Sequence, residues 1–482
     1  MRECKPGPRT TTPAVALCAV ALVVTMAAGC TARNAERDAA AVPDAADASA
    51  EPALDDGGLD GFAVDASDGS APDGTPIDVP ALDATRDGAR ESGPPDAHAP
   101  DDGAPSTDGA SRPPPHPYWT AMGLGCDSPP VVDGRVVFAV ESDPLAVCND
   151  GSPPVYAIRP GIGAMASTFL IELDGGGACT DVPSCMRRAR PNAEGRHPAV
   201  STCDLHLDPD VELHGGWWSD DPARNPFVDA TRVYVHYCSS DLWSGDRAAS
   251  EATGWFHFRG HRILAALFED LHRRHGLAGA TRIVLAGTSA GAHGVLTNAD
   301  FIGDWLARRG IRAAYMALAD AGWAQASTGA GGSGVVELFH MFADESCVAA
   351  GHGILACHTG PTLAPHVTTR TLLHVPQNDE PALMMSPGCR TGGRSDSTVC
   401  DPTLARQVRD ALSTAIALPT DLTVFSPYKR GHTIIDDDCR FFGMPGCVPP
   451  MTSWTIAGRS FADLAYPWMQ GMTVESRIES PP

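Results

Sequence analysis

Lysine is nearly missing from this 482-residue chain: of its 35 Lys and Arg residues only Lys5 and Lys429 are lysines, a skew that reads as coding bias rather than mechanism. Basic charge as a whole is outnumbered by 59 Asp and Glu, for a formal charge of −24. Phosphate backbones are held by clustered Lys and Arg, so this charge balance disfavours nucleic-acid binding through a broad basic face. The one long apolar run, residues 14–28, has about 15 residues and falls short of the ~20 a helix needs to cross a bilayer. No Cys-x-x-Cys pair and no His/Cys cluster at zinc-ligand spacing occurs, so no metal site is implied.

What basic charge the N-terminus has is placed with purpose. Arg2, Lys5 and Arg9 precede the apolar run, which ends at Gly29-Cys30, and this is the layout of an export signal. Cys30 after Ala27-Ala28-Gly29 resembles a bacterial lipoprotein cleavage site, with Ala27 where Leu or Val is usual. Residues 1–30 are therefore expected to be a lipoprotein-type signal peptide, with lipidation of Cys30 as the chain's only membrane contact. Residues 31–115 are dominated by Ala, Asp, Pro and Gly; sixteen Asp and three Glu face four Arg between 31 and 110, about −15 of the total charge. Such a composition buries too little apolar surface to offset chain entropy and is expected to be a disordered linker. Twelve cysteines follow, from Cys126 to Cys447. An even dozen in an exported domain implies up to six disulfides, with Cys179/Cys185, Cys347/Cys357, Cys389/Cys400 and Cys439/Cys447 as plausible near-neighbour pairs.

Residues 116–482 read as one α/β domain. Strands are expected at Arg135–Val140, Thr168–Leu173, Arg232–His236, Arg282–Ala286, Arg312–Ala319, Arg370–Val375 and Leu422–Ser426, whose β-branched runs lack strict alternation and suit a central, mostly parallel sheet. Gly260–His275, Gly291–Arg308 and Pro402–Leu418 have apolar spacing suited to flanking helices. The length beyond a minimal domain leaves room for disulfide-rich insertions.

Two motifs carry chemistry. Gly287-Thr288-Ser289-Ala290-Gly291 follows the strand ending at Ala286 and opens a helix, the context of a G-x-S-x-G elbow that lifts a serine hydroxyl clear of the sheet. A serine hydroxyl is a weak nucleophile and needs a base and an orienting acid. In the α/β-hydrolase order these follow the serine on loops after late strands. Asp379 after Arg370–Val375 and His432 after Leu422–Ser426 sit in those loops, with Asp320 as a competing acid. His272 and His275 fall on a helix and are weaker candidates for the base. The second motif, Asp174-Gly175-Gly176-Gly177-Ala178-Cys179, follows a strand and can turn backbone N–H groups toward an oxyanion, beside the N–H of Ala290. The P-loop lysine and the G-x-G-x-x-G spacing are absent from it, so no nucleotide cofactor is implied. Trp243 reads equally as a sugar-stacking or a core residue, and Trp217-Trp218 as packing.

These residues resemble a family. GGGACTDVPSC (175–185), YCSSDLWSGD (237–246), FRGHRIL (258–264), GTSAGAHGVLTNAD (287–300), LADAGW (318–323), NDEPAL (378–383) and GHTII (431–435) resemble, in order, segments of the pectin acetylesterase and Notum family of serine carboxylesterases. The resemblance implies an α/β-hydrolase-like fold and places the nucleophile at Ser289, the acid at Asp379, the base at His432, and the oxyanion donors at Gly176, Gly177 and Ala290. It leaves Asp320 a supporting role. The family's Trp in the first motif is Ala178 here, and the second Gly of its SAGG is Ala292.

The expected function is an exported serine carboxylesterase that removes acetyl groups from polysaccharide, without metal or organic cofactor. A fatty-acyl esterase and a non-catalytic glycan-binding surface lipoprotein are the alternatives. Ala178 separates the first two. A Trp at this place would supply roughly 150–250 Å² of buriable surface, and each methylene buried in its stead is worth ~0.8 kcal/mol. We expect acetate to remain the preferred p-nitrophenyl ester; a steady rise of kcat/KM from acetate to octanoate would favour the fatty-acyl alternative.

Overall fold

Alternating side chains of the central strands pack onto two apolar faces, and that double burial selects a parallel sheet. The computed structural model describes residues 111–127, 137–205, 215–325, 332–383, 389–391, 398–400, 402–444 and 454–480. The expected signal peptide, Cys30 and nearly all of the expected linker lie outside the described residues. The strands are β1 (Val137–Ala139), β2 (Val155–Arg159), β3 (Thr168–Leu173), β4 (Thr231–Val235), β5 (Arg282–Thr288), β6 (Ala314–Asp320), β7 (Thr371–His374), β8 (Cys389–Thr391), β9 (Thr398–Cys400), β10 (Leu422–Ser426) and β11 (Arg477–Ile478). Among the described residues they form a nine-stranded sheet in the order β1-β2-β4-β3-β5-β6-β7-β10-β11, with β8 and β9 as a separate ribbon. The pairs β1/β2 and β2/β4 are antiparallel and the remaining pairs of the large sheet parallel. This is the α/β architecture expected from the residue pattern.

Phe169, Ile171 and Leu173 of β3, Ile283 and Leu285 of β5, and Ala317 and Ala319 of β6 join one core cluster with helices Gly260–Arg274 and Ala290–Arg308. Their neighbours Leu170, Val284, Ala286, Met316 and Leu318 turn to the opposite face, against Trp217, Trp218, Phe441, Trp454 and Trp468. Each Val, Ile, Leu, Phe or Met side chain among them, fully buried, contributes about 1.5–3 kcal/mol. The expected packing role of Trp217 and Trp218 is therefore what the structure shows. Four strands fall outside the expected set: β8 and β9 of the ribbon, and two of the large sheet. Val155–Arg159 follows Pro153-Pro154, a turn signal that hides it. Arg477–Ile478 is only two residues long, too short to have a period.

Register carries the consequence for function. Thr288 lies beside Asp320, Asp320 beside His374, and His374 beside Phe425. The carboxyl ends of β5, β6, β7 and β10 therefore finish at one level, where open α/β sheets place their sites.

Four disulfides are described: Cys126–Cys203, Cys148–Cys238, Cys179–Cys185 and Cys347–Cys357. Two are near-neighbour pairs expected from the sequence; the other two span 77 and 90 residues and have no local signal. Cys389 stands opposite Cys400 in the β8/β9 register. Cys439 is disulfide-bonded, and its expected partner Cys447 lies outside the described residues. Disulfides persist in oxidising compartments, so these fit an exported protein. Cross-links across longer loops remove more chain entropy. Replacing Cys148 and Cys238 by Ser should cost about 4–5 kcal/mol in urea denaturation, against about 2 kcal/mol for the six-residue Cys179–Cys185 link. Equal losses would move the stabilisation from chain entropy to native contacts.

Candidate active site

Ser289 stands between β5 and helix Ala290–Arg308 with φ 52 and ψ −116, a backbone setting that costs an L-residue roughly 1–3 kcal/mol. Gly287 and Gly291 make the turn possible. A Cβ on Gly287 would lie 2.4 Å from the carbonyl carbon of Gly291, and one on Gly291 would lie 2.0 Å from the Leu173 oxygen. Strand and helix thus touch backbone to backbone. The strained residue is held from both sides: its amide donates to the Asp320 carbonyl at 2.8 Å, and its own carbonyl accepts from His293 N at 3.0 Å. Ala290 is the first residue of the helix, so its amide has no carbonyl partner within that helix.

The glycine segment after β3 lies against this elbow. A Cβ on Gly175 would come 3.1 Å from Ser289 Cβ. Gly176 and Gly177 have φ +112 and +70, values that favour glycine. Around them, Asp174 N donates to Val235 O at 3.1 Å and Cys179 N to Ser240 O at 3.1 Å. Trp243 Nε1 donates to Asp174 O at 3.0 Å, and Arg188 Nη1 donates to Gly176 O at 2.7 Å. Trp243 is fully buried and stacked on Tyr237, so of its two readings the structure selects core and not a sugar platform.

Asp379 and His432 meet because β7 and β10 are neighbours whose following loops stay paired, through Gln377 N to Pro427 O at 3.0 Å and a bridge between Asn378 and Arg430. His432 Nδ1 lies 2.8 and 2.9 Å from the two Asp379 carboxyl oxygens. An ionised carboxylate accepts only, so beside it Nδ1 carries the proton and the neutral ring leaves Nε2 as an acceptor. That Nε2 is buried and has no hydrogen-bond partner among the described residues, and no hydrogen bond joins it to Ser289 Oγ. Contacts of this kind are often long before substrate binds. Burial pushes the imidazole pKa down, but the Asp379 charge and hydrogen bond, with the charges of Asp320 and Asp436, outweigh it, and the net shift is upward.

The competing candidates go elsewhere. Asp320 is fully buried and accepts from the amides of Ile434 at 2.7 Å and Ile435 at 2.8 Å, while its other oxygen meets His374 Nδ1 at 2.5 Å. It is not bonded to His432. His293, one turn into the elbow helix, pairs with His358 at 2.8 Å; burial pushes the two down to about 4 and about 3. His275 is half-buried and bonded to the Tyr156 hydroxyl, and His272 lies in the last turn of helix Gly260–Arg274. Among the described residues no group of three His, Cys, Asp or Glu is placed to hold a metal ion. Arg188 escapes a reading of the sequence, as do the contacts by which Asp320 takes its supporting role, because both act on backbone groups that no spacing reveals.

Residues 134–351 match the family model described as pectinacetylesterase. The palmitoleoyl-protein carboxylesterase Notum of Homo sapiens is 35% identical over 179 residues, 36% of this chain and 34% of that protein. Pectin acetylesterase 11 of Arabidopsis thaliana is 32% identical over 155 residues, 32% of this chain and 37% of that protein. A Notum of Schmidtea mediterranea is 33% identical over 178 residues, 36% of this chain and 32% of that protein. The chain thus spans about a third of the length of the curated relatives it matches.

The two buried acids separate experimentally. A histidine acts as a base only when neutral, so activity that depends on His432 should fall as pH drops through an inflection above the ordinary histidine value of about 6.5. Asp379→Asn removes what raises that pKa; the kcat/KM inflection should move down and kcat fall by about 10⁴, as in Ser-His-Asp hydrolases. Asp320→Asn should instead lower the unfolding midpoint, since a buried donor or acceptor left unmatched costs about 1–3 kcal/mol. A pH profile moved by Asp320→Asn and not by Asp379→Asn would exchange their roles.

Proposed function

We propose that the chain, whose residues 134–351 match the pectinacetylesterase family model, is an exported serine carboxylesterase acting on acetylated polysaccharide. The observation that carries this reading is the His432–Asp379 pair, whose free Nε2 belongs to the same sheet edge as the strained Ser289. Ser289 Oγ attacks the ester carbonyl while His432 Nε2 takes its proton, and Asp379 holds the imidazole in the tautomer this requires. The negative charge on the carbonyl oxygen is met by the N–H groups of Gly176, Gly177 and Ala290, a kind of donor whose individual loss costs about 10²–10³ in rate. The alcohol leaves with the proton from His432; water, deprotonated by the same ring, then cleaves the acyl-enzyme, and the acid is released as His432 returns that proton to Ser289 Oγ.

Fatty-acyl ester hydrolysis is the second reading, favoured by Ala178 beside the glycine segment and by the similarity to palmitoleoyl-protein carboxylesterases. Export follows from the apolar run at 14–28, and anchoring through a lipid on Cys30 from the residues around it. Ser289→Ala should abolish both ester hydrolysis and covalent labelling by a fluorophosphonate while leaving the unfolding midpoint in place. Full labelling of Ser289→Ala, or none of the wild-type protein, would remove Ser289 as nucleophile.

A further inference from the structure

Arg188 ends helix Val182–Arg188, and its guanidinium points back at the glycine segment. Nη1 donates to the Gly176 carbonyl at 2.7 Å and Nε to Ser240 Oγ at 3.1 Å. That hydroxyl spends its own proton on Ala199 O at 3.1 Å, so it faces the arginine as an acceptor. Among the described residues Arg188 makes no ion pair with a carboxylate. A partly buried cation without an anion is costly to keep, and burial lowers its pKa.

We propose that Arg188 is a positioning residue for the oxyanion site: by holding the Gly176 carbonyl it fixes the plane of the Gly176–Gly177 peptide and so aims the Gly177 N–H. This rests on the reading of Gly177 N–H as an oxyanion donor. A peptide unit is planar and trans, so its C=O and N–H point in opposite directions. Fixing one fixes the other. The hold is needed because two successive glycines at positive φ have no Cβ to resist rotation of the plane between them. The charge adds to the geometry, because a carbonyl polarised by a cation makes the N–H of the same peptide a stronger donor.

The lever itself is rigid. Asp181 caps the helix in a reciprocal box with Ser184, and the Cys179–Cys185 disulfide joins the end of the glycine segment to the middle of the same helix. Nε and Nη1 are fixed relative to each other in the planar guanidinium, so bonding Ser240 sets the direction toward Gly176. A lysine would bring the charge without that fork.

The test uses the full chain with p-nitrophenyl acetate and a fluorophosphonate, whose reaction also builds negative charge on an oxygen at this position. Arg188→Gln should lower kcat and the phosphonylation rate together by about 10–100-fold, part of the ~10²–10³ that one oxyanion donor carries, with KM within twofold. Arg188→Lys should fall between that variant and the wild type, and Arg188→Gly should regain about tenfold on addition of guanidinium. The exposed neighbour Arg187→Gln should match the wild type. Turnover that needs Ser289 but is unchanged in Arg188→Gln overturns this proposal alone. A loss that guanidinium does not restore and that follows the unfolding midpoint reduces Arg188 to a structural role and overturns it too. Turnover that survives Ser289→Ala overturns the underlying reading and this proposal with it.

Discussion

A carboxyl group sealed inside a sheet edge needs donors around it, and the donors that Asp320 finds organise the whole site. Its side chain receives the amides of Ile434 and Ile435 and the imidazole of His374; its backbone carbonyl receives the amide of Ser289. The loop carrying His432 and the elbow carrying Ser289 are therefore referenced to one residue of β6. Hydrogen bonds to charged groups contribute about 1.5–3 kcal/mol each, and removing one partner leaves the others buried and unmatched. That is enough to keep two loops, 143 positions apart at Ser289 and His432, in a fixed relation.

The remaining geometry comes from absence of bulk. Gly287 and Gly291 let strand, helix and the end of β3 approach at backbone distance, and Gly431, at φ +137, would drive a Cβ to 2.5 Å from the Trp454 ring. The strain at Ser289 persists because neighbours on every side determine it. Large aromatic residues sit one layer further out. Trp243, sealed beneath the glycine segment, holds its first carbonyl, and Trp217 donates from the opposite face to Glu172 at 2.6 Å. Burial first, and the nearby Asp436 charge next, raise the Glu172 carboxyl well above its usual range.

Cross-links and hydrogen bonds share the task of holding the glycine segment. It is pinned at its start by the sheet, at its middle by Arg188 and at its end by Cys179–Cys185. Glycine loses more backbone freedom on ordering than any other residue, so a segment with three of them is costly to hold in one conformation.

By itself the sequence determined the local events: Thr168–Leu173 and Leu422–Ser426 as strands to the residue, the elbow at Ser289, the glycine segment, and Asp379 and His432 on successive late loops. Each has a short-range physical signature, a run of buried side chains or glycines where the chain must turn. Only the tertiary structure decided between Asp379 and Asp320 as the partner of His432, sent Trp243 to the core, joined Cys148 to Cys238 across 90 residues, and brought Arg188 to the Gly176 carbonyl. These depend on strand order and register, which set residues far apart in the chain side by side, and a backbone carbonyl waiting for a partner leaves no mark in the sequence.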